Sequence, residues 1–140
     1  MSDHKEAEKK IALIAYRLRQ AQEALDDARK LAEHAGSLRS IINRAYYSMF
    51  YAVLALLLTI DAGASKHSGA IALFDRHFVK TGLFPKELSK ILHRGFEHRQ
   101  RGDYEELAEV EEADAQEMLQ DAGSFLTAVR TYLKTYGIND

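Results

Sequence analysis

His93, Arg94, His98, Arg99 and Arg101 crowd one short stretch of the chain, and Asp103 and Tyr104 follow directly. Guanidinium groups suit phosphate because their paired N–H donors match paired oxygens, and they stay charged at physiological pH. An imidazole titrating near neutrality can move a proton to or from a substrate. The cluster thus holds the residue types needed to bind or cleave a phosphodiester. The plainer alternative is a solvated ladder, because His93, Glu97 and Arg101 are successive i, i+4 neighbours on a helix.

Arg44, Tyr47 and Tyr51 form a second candidate group, spaced to share one helical face. Together with Tyr46 they offer ring surfaces on which bases could stack, although aromatic residues at helical spacing more often pack into a core. His67, His77, His93 and His98 contain no i, i+4 histidine pair with a placed carboxylate, so the expectation is no metal and no cofactor. Gly63-Ala64-Ser65-Lys66 lacks the second glycine and the length of a phosphate-cradling loop. Ser65 and Ser68 have no histidine and carboxylate partners that would mark a nucleophile.

These groups must be held by helices, since hydrophobic residues recur at three- and four-residue steps almost everywhere. Ile11, Ile14, Leu18, Ala21, Leu25, Ala28 and Ala32 predict one long first helix, ending where Gly36 can take a left-handed position and Ser37 can cap the next. A second helix, about 38–62, buries Ile42, Tyr46, Met49, Val53 and Leu56, with Gly63 as its stop. A shorter third helix begins after Ser65, buries Ile71, Phe74 and Phe78, and breaks at Thr81-Gly82. Pro85 opens a fourth, with Leu88, Ile91, Leu92 and Phe96 inward, which frays at Gly102. Ala115 to Leu133 is the clearest helix of all. Short connections between such helices favour antiparallel neighbours, so the expected fold is an all-α, up-and-down bundle of four main helices plus a shorter one. The whole span 1–140 is read as one domain, with 1–5 and 137–140 frayed.

Composition narrows the function classes. The chain has 140 residues, no cysteine and a net charge of −2, which removes thiolate chemistry and any overall field for nucleic acid. Basic charge is local instead: Arg76 to Arg101 is mostly basic, and Asp103 to Asp121 contains no Lys or Arg. Helix dipoles account for much of that segregation, because acids suit helix N-termini and bases suit C-termini. The apolar run Met49 to Ile60 is shorter than the roughly 20 residues a membrane span needs, and the charged N-terminus is no signal peptide. The expected location is cytoplasmic, with no membrane.

Three stretches stand out together: Asn43-Arg44-Ala45-Tyr46-Tyr47-Ser48-Met49-Phe50, then Lys66-His67-Ser68-Gly69 leading to Phe78-Val79-Lys80-Thr81-Gly82, then Arg99-Gln100-Arg101-Gly102-Asp103-Tyr104. In combination they resemble the HEPN family, in its branch of small stand-alone proteins. Their order and spacing also match, and the likeness runs from the first helix to Leu133. The resemblance implies a helical bundle that forms a homodimer and works beside a minimal nucleotidyltransferase in a toxin–antitoxin pair. Active members cut RNA without a metal, using an arginine followed about four to six residues later by a histidine. There the arginine stabilises phosphate charge and the histidine moves a proton.

Carried onto this chain, the resemblance makes Arg99, Asp103 and Tyr104 the catalytic positions. Arg44, Tyr47, His67, Arg94, His98 and Arg101 are the expected nucleotide- or RNA-binding residues. The motif departs from its pattern at Tyr104, which stands where active relatives have histidine. A phenol of ordinary pKa about 10 is a poor base at neutral pH. In some relatives a tyrosine near this position receives a nucleotide from the transferase, which gives Tyr104 a second expected role. Three readings stay open: a metal-independent ribonuclease, a non-catalytic nucleotide- or partner-binding homodimer, and a homodimeric scaffold.

Overall fold

A computed structural model describes residues 2–104 and 110–139; the side chains of 2 and 102–104 lie outside that description. Among the described residues there are five α-helices and no strand: α1 (Ser2–Glu33), α2 (Leu38–Thr59), α3 (His67–Phe74), α4 (Lys86–Tyr104) and α5 (Glu112–Leu133). Four are long and one is short, forming an all-α up-and-down bundle. A π-helical turn, Asp75–Val79, extends α3, and a 3-10 turn, Lys134–Tyr136, ends α5.

Helix α2 is the hub, packing against α1, α3, α4 and α5. Its pattern is apolar nearly all round because it has neighbours nearly all round, and Ile42, Tyr46, Met49, Val53 and Leu56 are all buried. By length and composition alone it could cross a membrane, yet 61% of its apolar stretch is buried inside the fold. On α1 the buried stripe is Ile14, Leu18, Ala21, Leu25 and Ala28, while Ile11 is 46% exposed. The reason is reach. A helix rises ~1.5 Å per residue, so the 32 residues of α1 extend past the end of the 22-residue α2.

The helix ends correct two sequence expectations. The left-handed residue after α1 is Ala35, with φ 53°, rather than Gly36. Gly36 serves by having no side chain: a Cβ there would stand 2.9 Å from the Leu31 carbonyl oxygen. Likewise α2 is closed by Asp61, with φ 54°, rather than by Gly63. The Asp61 and Ala62 N–H groups donate to Leu58 and Leu57, satisfying carbonyls that the helix end leaves open. Ser37 caps α2 as expected, its Oγ accepting from the Ser40 N–H. Gly82 is left-handed at the predicted break. Beyond α5, Ile138 is 4% exposed, so the turn after Gly137 folds back onto the core.

One interior glycine matters for the site. A Cβ on Gly95 would come within 2.7 Å of Met49 Cε and 3.3 Å of Met118 Cε, so its absence lets α4 press against α2 and α5. Arg99, about one turn further along α4, is thereby delivered to the α2 surface.

Candidate phosphate-binding site

Tyr47, half-buried on α2, is the centre of the site. The Arg99 guanidinium donates to its hydroxyl at 3.4 Å and sits 5.7 Å from its ring centre. Arg44, about one turn earlier on α2, places its guanidinium 5.2 Å from the same ring. Two cations therefore share one electron-rich face system, each gaining roughly 0.5–2 kcal/mol from the ring quadrupole. Arg44 also donates to the Asn43 side-chain oxygen at 3.1 and 3.3 Å. Among the described residues no carboxylate pairs with Arg44, although its side chain is half-buried.

His67, the first residue of α3, closes the other side of Tyr47, edge to face at 5.6 Å between ring centres. It stacks flat on Phe50, 4.0 Å apart with planes 4° off parallel. Its Nδ1 lies 2.8 Å from the hydroxyl of Tyr46, which is fully buried. Burial, and secondarily the Arg99 charge, push the His67 pKa below its ordinary value. Burial drives the Tyr46 phenol upward, against the opposing pull of Arg99. The pair is therefore a neutral imidazole bonded to a protonated phenol at neutral pH.

The remaining sequence candidates are distributed differently. Arg94 turns to α5, where Asp121 accepts from it at 2.9 and 3.3 Å and Glu117 pairs with it at 3.1 Å. His98 is half-buried and Arg101 exposed, and no described contact links either to Tyr47 or His67. Asp103 and Tyr104 occupy the last turn of α4, but their side chains lie outside the described residues. His93, expected to form a ladder with Glu97, instead meets Asp75 at 2.6 Å, while Ser89 donates to the same carboxylate at 2.7 Å. That cluster ties the π-helical turn to α4. Among the described residues no group of three or more His, Asp or Glu side chains gathers where a cation could be held.

Two participants were not singled out from sequence. Gly95 left the signal of a lone glycine inside a helical pattern, and Phe50 left none. Tyr46 was weighed as a stacking surface, and its bond to His67 follows instead from the need of a buried phenol for a hydrogen-bond partner. A broad open hollow between α1 and α5, lined by Arg29, Gly123, Ser124 and Thr127, carries one charged group and no imidazole. The candidate groups that meet one another gather on the α2–α4 side.

The chain matches the model of the HEPN domain over residues 14–132, and it belongs to that family. It is 47% identical over 122 residues to a UPF0332 protein of Thermotoga maritima, covering 87% of this chain and 92% of that one. Two proteins of Methanocaldococcus jannaschii, both named "Putative toxin", are each 32% identical. Their matches cover 89% and 81% of this chain and 88% and 84% of those proteins.

Proposed function

We propose that this protein is a toxin-type HEPN component that grips RNA by a backbone phosphate between Arg44 and Arg99, against Tyr47. The observation that carries this reading is Arg44: a half-buried guanidinium held by an amide and a ring, with no carboxylate among the described residues. Such a group keeps its positive field for an incoming anion, and its donors match paired phosphate oxygens. Family membership and the two relatives named as toxins support the toxin-type role. The protein acts as a homodimer beside a minimal nucleotidyltransferase. Arg99 supplies phosphate binding, and Tyr104 in place of the family histidine favours holding the strand over cutting it.

Anisotropy titrations with a labelled single-stranded RNA test this, using wild type, Arg44→Gln and Arg94→Gln. A charge-assisted bond is worth about 1.5–3 kcal/mol, so Arg44→Gln weakens binding by about tenfold or more. The slope of log affinity against log salt also falls by about one. Arg94→Gln binds as wild type does. Equal binding by all three proteins, or no binding by wild type, overturns the reading. The same RNA incubated in chelator stays full length, and co-purification from the native operon captures the nucleotidyltransferase.

A further inference from the structure

We propose that His67 is a neutral hydrogen-bond donor, aimed through Nε2 at the anion that Arg44 and Arg99 attract, and that Tyr46 is the positioning residue that fixes this tautomer. The inference rests on the phosphate-binding reading and adds a third donor of different character.

Hydrogen bonding sets the tautomer. The Tyr46 hydroxyl is fully buried, and its single partner among the described residues is His67 Nδ1, at 2.8 Å. A buried O–H left without an acceptor costs about 1–3 kcal/mol, so the phenol donates and Nδ1 accepts. A neutral imidazole with a lone pair at Nδ1 carries its hydrogen on Nε2. The ring is only half-buried, and Nε2 is not among the buried atoms lacking a partner. Nδ1 faces the core and Nε2, across the ring, reaches solvent.

The surroundings keep the donor neutral and in place. Among the described residues, Tyr46 and Tyr47 on α2 and Arg99 on α4 are the titratable or charged groups that face the imidazole. Arg99 opposes a second positive charge, as does burial. Stacking on Phe50 at 4.0 Å and flanking by Phe96 at 6.4 Å hold the ring plane. The phenol resists giving up its proton, because burial raises its pKa. Tyr46 therefore cannot feed a proton through His67 to a leaving group. With its lone pair occupied, His67 is equally unable to serve as a base, so it orients and neutralises an anion without exchanging protons with it.

Nitrogen-15 spectra of the histidine-labelled full chain at pH 7.5 test the tautomer directly. The expected pattern for His67 is an unprotonated Nδ1 and a protonated Nε2, with Tyr46→Phe shifting it toward a mixture. A protonated Nδ1 or an imidazolium overturns the inference. Titration with inorganic phosphate is expected to move the His67 Nε2 signal, and an unmoved signal also overturns it, whatever RNA does. Against single-stranded RNA, His67→Ala loses about tenfold, while His67→Gln, which keeps a donor near the Nε2 position, stays within about threefold of wild type. Wild-type affinity is flat between pH 7 and 8.5, where an imidazolium contact would weaken with rising pH. Should Arg44→Gln weaken RNA binding while His67→Ala does not, the histidine role fails and the phosphate site stands. Should Arg44→Gln change nothing while His67 Nε2 still answers phosphate, the reverse holds.

Discussion

Arg94 and Arg99 leave the same helix five residues apart, about 140° around its axis, and they turn to different helices. On the α4–α5 side Arg94 is bound by Asp121 and Glu117, at 2.9 and 3.1 Å, so its charge is spent within the fold. On the α2–α4 side Arg99 reaches a tyrosine hydroxyl, and Arg44 beside it is held by an amide oxygen and the same ring. An amide and a ring orient the Arg44 guanidinium without cancelling it. Basic residues alone therefore do not mark an anion site; the polarity of their partners does.

The comparison can be broken most decisively at Arg44. Arg44→Gln is expected to cost RNA affinity about tenfold or more while lowering the melting temperature only by the few degrees that its ring contact accounts for, and a larger drop would make Arg44 structural instead. Arg94→Gln is expected to act on stability alone. Losing a partly exposed ion pair costs about 1 kcal/mol, or a few degrees in a thermal melt, with unaltered RNA binding. If Arg94→Gln weakens RNA binding as much as Arg44→Gln, the two sides are not distinct.

The buried side of the site should also report through pH. His67 has a folded pKa below its unfolded value, so the unfolded chain takes up a proton first as pH falls. Stability is then fully present above the unfolded value of about 6.5 and is lost as pH falls through the lower folded value. Melts from pH 7.5 down to 5 should show a decline that is smaller in His67→Gln, and an identical decline in both proteins would remove His67 as its source. The smallest effect is expected at the clamp. His93 is 54% exposed and Ser89 keeps its own bond to Asp75, so His93→Asn should lower stability by less than about 1 kcal/mol. A larger loss would show that the imidazole holds the π-helical turn by itself.

Much of the architecture was readable from periodicity. The stripe predicted for α2 is buried, and α5 stands where the clearest pattern put it, because three- and four-residue spacing defines one side of a helix whatever packs against it. The helix ends were less legible: Ala35 takes the left-handed position assigned to Gly36, and Asp61 closes the helix that Gly63 was expected to stop. Gly36 is needed for its missing side chain beside Leu31, a demand set by a neighbouring turn. In the site, the arginine types and their positions were visible, while the sorting of Arg94 from Arg99 was not, since it depends on the angular placement of α5 around α4. The link between Tyr46 and His67 spans 21 positions, and no local pattern announces it.

Sequence by itself determined the helices, their inward faces and the inventory of groups able to hold phosphate, because each follows from residue type and short-range spacing. Only the tertiary structure decided which guanidinium is neutralised and which keeps its field, and which nitrogen of His67 is closed by a buried phenol. Charge and tautomer are settled by partners a few ångströms away in space, and those partners come from helices far apart along the chain.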